Sequence, residues 1–338
     1  MSVRSAAPPP SSKVDVPGLP SGWQSLGYTI LVDGVLAVIG TDVDLASEWL
    51  RIRGAPQELN PPSEIRELAA SGAAQIWTLG SAGWAEGPTF PLDTPFPIID
   101  RFDDGRWLVV GARTRVGTNA RVLSEDGDVL DRFMLGDGIG HAVIDQFSRI
   151  WVGWFDEGIF GNDEWRVPGL DWPPSANGVA CFAEDGALVD LPEWPTEAGS
   201  IGDCYALNAV GDGSWSCTYV DFPLVHRVPG NPVRWWRNTL AGASALATSG
   251  AQVLLAGGYG SEADRLTLLA VDGIGQGEDA RAIASWGLPL RERARAEEGE
   301  PAWEHPTLLV GRGDAIHLIE GDVWRTWRVS ALAPPVVL

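Results

Sequence analysis

The chain has 338 residues, 45% of them hydrophobic and 20% charged, the balance of a folded globular protein and not of a disordered one. Its 45 acidic and 24 basic residues give a formal net charge of −21, and such a field repels phosphate backbones and anionic lipid. This argues against nucleic-acid and membrane-surface binding, and no apolar run reaches the roughly 18 residues that a membrane-spanning helix needs.

Met1 to about Pro20 is rich in Pro and Ser and has no apolar core behind its one Arg. It reads as a disordered tail rather than a secretory signal, ahead of a single domain over 21–338. From there one pattern recurs, a small-residue turn followed by an apolar strand of about six residues. It appears first at Asp33–Gly40 (DGVLAVIG) and again at Asp104–Gly111 (DGRWLVVG). Asn119–Gly127 then leads into Asp128–Phe133 across an Asp-Gly turn, a strong hairpin signal. The stretch Gly136–Asn162, GDGIGHAVIDQFSRIWVGWFDEGIFGN, shows the pattern at its most compact. Ala142-Val143-Ile144 is apolar, Asp145–Ser148 is turn chemistry, Arg149–Trp154 has the β-branched and aromatic make-up of a buried strand, and an acidic loop follows.

Further strands of the first kind are expected at Gly213–Tyr219, Gly250–Gly257 and Gly313–Ile319. Further hairpins of the second kind run from Asn177–Gly186 into Ala187–Leu191, and from Arg265–Gly273 into Ala280–Trp286. Two hairpins in succession make four antiparallel strands, the blade of a propeller, and a period of about 40 to 50 residues is the spacing of such blades. Positions 36, 107, 150, 215, 253 and 315 mark six of them, with long insertions in the first, third and fifth. The expected fold is an all-β, six-bladed β-propeller of four-stranded antiparallel blades. Trp77, in AAQIWTLG, would mark a seventh in the alternative count. The last blade runs out near its third strand, after Asp322–Arg328, and Trp23–Gly27 is expected to supply the missing outer strand and close the ring.

The Asp104-Gly105-Arg106-Trp107-Leu108-Val109-Val110-Gly111 strand and the Asp-Gly hairpins resemble the NHL and SMP-30/gluconolactonase group of propellers, over about residues 21 to 330. The segments GDGI…WFDEGIFGN and DCYALN…YVDFPLV also resemble an uncharacterised bacterial group of such propellers. The resemblance implies a fold. SMP-30-like enzymes hold a metal at the pore with a Glu, an Asn and an Asp, and that set is not matched here residue by residue.

In a propeller, the loop leading into each inner strand and the loop leaving each second strand lie on one face of the disc. That topology gathers Asp137 and His141, Asp203, and Glu304 and His305 with Asp42 and Asp44, Arg113 and Arg115, Asp156 and Glu157, Asp221, and Tyr259 and Glu262. One reading is an acidic pore mouth binding a small molecule or a protein through Asp137, His141, Asp156, Glu157, Asp203, Asp221, Arg113 and Tyr259. Another is a divalent-metal-dependent, lactonase-like hydrolase. Asp137, Asp156, Glu157, Asp203 and Asp221 would then hold Ca or Mg, and His141 and Asp203 would be the catalytic candidates. Against both stands the ordinary use of acids to cap turns and pair with Arg.

His141 reads equally as a hydrogen-bonded wall residue, and with four histidines in the chain no zinc triad suggests itself. Cys204 reads as a buried small hydrophobe before a thiol nucleophile. An odd number of cysteines, Cys181, Cys204 and Cys217, without CxxC spacing, points to reduced thiols in a cytoplasmic protein, expected here as a monomer. Trp165, Trp172 and Trp194, in the Pro-rich insertion from Asp163 to Ser200, would form a lid or partner surface, or only cover their own blade. Trp235-Trp236, between Arg234 and Arg237, sit on an outer strand that either meets a partner or is protected at its edge. Arg291–Glu300 is a charged run that suits a short helix or a solvated loop.

Overall fold

The computed structural model describes residues 5–52, 63–114, 117–191, 193–290 and 307–332. These form a six-bladed β-propeller of antiparallel sheets with few helices. Blade 1 is Gln24–Ile30, Leu36–Thr41, Ala73–Gly80 and Gly83–Pro91; blade 2 is Pro97–Arg101, Trp107–Gly111, Ala120–Leu123 and Val129–Phe133. Blade 3 is Ile139–Ile144, Ile150–Trp154, Val179–Phe182 and Leu188–Asp190; blade 4 is Ile201–Val210, Gly213–Val220, Leu224–Arg227 and Arg234–Arg237. Blade 5 is Ala245–Ser249, Gln252–Ala256, Arg265–Ala270 and Arg281–Gly287. Blade 6 is Thr307–Arg312, Ala315–Glu320 and Val323–Arg328, completed by Ser12–Asp15.

The second strand of most blades is apolar and buried because it is packed between two neighbouring blades. Leu36–Thr41, Trp107–Gly111, Ile150–Trp154 and Ala315–Glu320 are buried at every position, whereas the outer strand Val129–Phe133 is exposed at all but its last. The turn before each second strand needs a left-handed residue. Gly34 and Gly105 supply it at φ 82° and 91°, and in blade 3 Ser148 takes the same place at φ 59°. That turn is held by Asp145, whose Oδ1 accepts from the Phe147 and Arg149 amides at 2.9 and 3.0 Å. Its Oδ2 accepts from Arg149 Nε at 2.7 Å and from the Trp151 indole at 3.0 Å.

Trp77 lies in the third strand of blade 1, so it marks no seventh blade. The ring closes as expected on an N-terminal segment, but on Ser12–Asp15 and not on Trp23–Gly27; Gln24–Ile30 is the inner strand of blade 1. The segment expected to be a disordered tail is therefore structured from residue 5. Composition misleads here because Pro8–Pro10 and Pro17 bracket a strand too short and polar to register, and those prolines are themselves anchored. The Trp327 indole donates to the Pro8 carbonyl at 3.0 Å and the Trp84 indole to Pro17 at 2.7 Å. Two outer edges gain a fifth, parallel strand: Gln276–Asp279 beside Arg234–Arg237, and Ser5–Ala6 beside Arg281–Gly287. The Trp235-Trp236 strand is thus protected at its edge by the chain itself. The run Arg291–Glu300 lies outside the described residues.

The inner strands converge tightly. An added Cβ on Gly311 of blade 6 would collide with the Leu246 backbone of blade 5. At the end of the axis where inner strands turn into second strands, two side chains reach across. Arg312 Nη2 donates to Asp100 Oδ2 at 3.0 Å and to the Ile144 carbonyl at 2.7 Å, while Asp100 Oδ2 also accepts from the Ile144 amide at 2.7 Å. Asn208 donates to the Leu246 and Gly313 carbonyls at 3.1 and 2.9 Å and accepts from the Gly313 amide at 3.0 Å. Blades 2 to 6 are thereby tied together at the axis.

Candidate functional site

The opposite end of the axis carries the residues singled out in the sequence, and the structure sorts them. Asp42 and Asp44 are structural. Asp42 Oδ1 accepts from the Ala73 amide at 2.8 Å, and Asp44 Oδ1 accepts from the Ser47 amide at 2.9 Å in the first turn of helix Leu45–Ile52. Asp137 is buried in the turn leading into blade 3. Its amide donates to Asn162 Oδ1 at 2.8 Å, and Asn162 Nδ2 donates back to the Asp137 carbonyl at 3.0 Å and to Gly158 and Ser175 Oγ at 2.8 and 3.1 Å. Gly138, at φ 68°, packs so closely on helix Asp156–Gly161 that a Cβ would strike the Gly158 backbone. Asn162 is the hub of this loop, a role the sequence did not reveal.

Arg113 pairs with Glu157 and lies 4.2 Å over the Phe155 ring, so both charges are spent on the seam between blades 2 and 3. His141 reaches from blade 3 to the Cys204 carbonyl of blade 4, 3.1 Å from its Nε2, and burial lowers its pKa. It is a neutral wall residue, as the plainer expectation had it. The Asp221 carboxylate lies against Gly199, where a Cβ would collide with it. Arg115, Glu304 and His305 lie outside the described residues.

What the fold does assemble is a carboxyl beside a group of aromatic rings. Asp203 is half-buried in the inner strand of blade 4, and burial first, then the nearby Asp156 carboxylate, push it up to about 6. Tyr219 pairs with Asp203 across the strands. Tyr205, two residues on, stacks on Tyr219 with centroids 5.8 Å apart and planes 12° apart, and meets Phe222 at 5.8 Å. From blade 5, Tyr259 closes on Tyr205 edge-to-face at 6.0 Å and donates its hydroxyl to the Tyr205 hydroxyl at 2.7 Å. Burial, then the Tyr259 hydroxyl, drive the Tyr205 pKa upward. Phe222 sits at φ 56°, and Gly242, at φ 72°, lies beneath the Tyr259 ring. Three of the chain's four tyrosines meet here.

The same face exposes apolar surface: Tyr219 at 41% and Tyr259 at 50%, and, in the connection between the second and third strands of blade 3, Phe160 at 68% and Trp172 at 73%. The other two insertion tryptophans are used within the fold. Trp165 stacks on Phe182 at 6.2 Å, and Trp194 lies under the Arg227 guanidinium and donates to the Gly199 carbonyl at 2.7 Å. Of the tyrosines, only Tyr259 was legible beforehand. The available signal was Asp203 and Tyr205 two apart on one strand, hence on one side of it.

Asp137, Asp156, Glu157, Asp203 and Asp221, expected as one ligand set for a metal, are not gathered as one: among the described residues no three His, Cys, Asp or Glu side chains converge in an arrangement that could hold an ion. Asp137 is buried with its backbone bonded to Asn162, Glu157 pairs with Arg113, and Asp156 lies close enough to Asp203 to raise its pKa. Cys181, Cys204 and Cys217 are free and buried. Burial pushes the Cys181 and Cys217 thiols up to about 12 and Cys204 higher still, the opposite of an activated nucleophile.

The fold is a six-bladed β-propeller, with a cluster of aromatic rings beside Asp203 at one end of its axis. No family model and no curated protein matches the sequence. Among solved structures it is similar to virginiamycin B lyase from Staphylococcus aureus, at 11% identity over 93% of this chain and 97% of that one, with a TM-score of 0.48. It is also similar to the Cps50 (Swd1) β-propeller domain of Myceliophteria thermophila, at 11% identity over 94% and 99%, TM-score 0.48. A third is the PQQ-bound aldose sugar dehydrogenase of Streptomyces coelicolor, at 15% identity over 94% and 99%, TM-score 0.44. Likeness at this level carries no activity across, and the resemblance to the NHL and SMP-30 group goes no further than the propeller.

Proposed function

We propose that this protein is a binding platform whose working surface is the mouth over blades 3 to 5, and that its occupant is a basic segment of a partner protein. The observation that carries the reading is the packing of Tyr205, Tyr219, Phe222 and Tyr259 with one another beside Asp203, which lies near Asp156, with Tyr219 and Tyr259 exposed. Exposed tyrosines beside carboxylates suit the guanidinium and ammonium groups of Arg and Lys, which they meet through ring faces and charge together. The net charge of −21 steers such a partner toward the protein. A monomer in a reducing cytoplasm fits this role and the three free thiols.

The test is fluorescence anisotropy with labelled peptides rich in Arg and Lys, against charge-reversed peptides, at low and physiological salt. Tyr259→Ala and Tyr219→Ala should each weaken binding about tenfold or more, the scale of an interface anchor, while Leu130→Ala on the outer strand of blade 2 leaves it unchanged. Equal affinity of all variants, or no basic peptide bound, refutes the reading.

One observation favours a hydrolase: a carboxyl at about 6 beside a second carboxylate is how acid–base pairs are built. Hydrolysis of a lactone panel that disappears in Asp203→Asn would establish that activity, and no turnover by the unmodified protein would dismiss it.

A further inference from the structure

On the other face of the disc, the seam between blades 4 and 5 opens into a cleft of about 530 Å³, within the range of small-molecule sites. One wall is a stack of flat groups on blade 4. His226 lies on Trp215 with centroids 4.7 Å apart and planes 22° apart. Trp215 lies on Trp236 at 5.3 Å and 15°, and the Arg234 guanidinium covers Trp236 at 5.1 Å. The strand register produces the stack, because Trp215 is paired with His226 and His226 with Arg234 across adjacent strands. Facing it, the turn of blade 5 contributes Thr248 and Ser249.

Two polar groups of the stack are committed. The Trp236 indole donates to the Asp272 carbonyl at 2.8 Å and Arg234 Nε to Ile274 at 3.0 Å. His226 Nδ1 is buried and has no hydrogen-bond partner. A buried nitrogen left unmet in this way disfavours the empty site and favours a donor that reaches it. Burial and the Arg234 charge hold the His226 pKa down to about 4, so the ring is neutral and one nitrogen is an acceptor. A half-turn about the Cβ–Cγ bond keeps the ring on Trp215 and carries Nδ1 to its other edge.

We infer that this cleft is a second binding site, for a planar heteroaromatic molecule that slots between the His226–Trp215–Trp236 wall and the blade 5 turn and donates an N–H or O–H to His226. The Thr248 and Ser249 hydroxyls are available to its remaining polar edge. The site is independent of the mouth, since it shares none of the mouth's residues.

Indole and benzofuran make the test, being alike in shape while only indole carries a donor. Binding is followed by NMR through the indole N–H signals of Trp215 and Trp236 in the full chain. Indole should shift those two signals saturably and bind about tenfold more tightly than benzofuran. His226→Phe, which keeps a flat ring in the stack, should bring indole down to the benzofuran level. Ser249→Trp, which fills the cleft from the blade 5 turn, should abolish binding of both with the melting temperature retained, while Tyr259→Ala at the mouth changes nothing. The inference is overturned if neither probe moves the two signals, if both bind equally, or if either cleft variant, still folded, binds indole as before.

Discussion

Replacing Asp100 with Leu should be among the most damaging single changes in this chain. Asp100 and Arg312 have side-chain exposures of 1% and 5%, and they tie blades 2, 3 and 6 together at the axis. Without Asp100, the Arg312 guanidinium stays buried with one bond from Nη2 to Ile144, because its Nε and Nη1 already have no partner. Arg cannot escape by losing its proton. Stranding one partner of a buried pair costs about 3–5 kcal/mol, and in a chain of this length each kcal/mol lowers the melting temperature by about 2 °C. Asp100→Leu should therefore melt roughly 6–10 °C early by circular dichroism, with a matching drop in denaturation midpoint.

The reverse change, Arg312→Met, leaves a carboxyl that burial already biases toward its protonated form. It should cost less, about 2–3 kcal/mol at neutral pH, and less still as the pH falls. The sign follows from a folded-state pKa raised above the unfolded one: the neutral form is favoured in the fold, so that contribution is present at low pH and lost as the pH rises. The double variant should fall short of the sum of the singles by about 3 kcal/mol. A penalty below about 1 kcal/mol for Asp100→Leu, or strict additivity of the double, refutes the idea that this pair holds the axis.

Asp203 gives a pH signature of its own. With its folded pKa near 6 against 3.8, its contribution is present below about pH 4 and lost as the pH rises through 6. The wild type should thus lose about 1 kcal/mol relative to Asp203→Asn across that window, the figure already reduced for half-exposure; parallel stability curves would contradict it. Removing residues 1–15 should expose the edge of Val323–Arg328 and cost about 3–5 kcal/mol at about one per hydrogen bond, visible as early melting with light scattering. An unchanged, monodisperse protein would show the closing strand dispensable. Ser148→Gly should stabilise the fold by about 0.5–1 kcal/mol, read as a higher denaturation midpoint, since only Ser148 among these turns lacks the glycine that φ 59° favours, and no gain would mean that Asp145 alone sets the turn.

The repeat was legible because its signals are local. An Asp-Gly turn and the six apolar residues after it lie within one hairpin, and a strand buried on both faces must be apolar throughout. The candidate surface was only half legible, since its partners are distant in sequence. Tyr259 meets Tyr205 across 54 residues, and at the other end of the axis Arg312 likewise meets Asp100 across 212. Acids at loop ends looked alike in the sequence. Only the fold separates Asp44, which caps a helix, and Asp137, which is locked to Asn162, from Asp203, which faces Asp156 with rings about it. Ser12–Asp15 escaped notice because four mostly polar residues between prolines carry no periodic signal.

That same short strand dictates how the protein can be made. Ser11 bonds to Arg328, 317 residues further on, so Ser12–Asp15 is synthesised long before the strand it pairs with. At about 5–20 residues per second, the wait is on the order of 15–60 s, during which blade 6 does not exist and the segment has nothing to pair with. A longer, more apolar strand would spend that interval seeking other edges, its own or a neighbouring nascent chain's. Pro8, Pro9 and Pro10 ahead of it and Pro17 behind keep it extended and unattractive until the final blade arrives. The composition that resembles disorder is thus what allows this segment to remain uncommitted until its partner strand has been made.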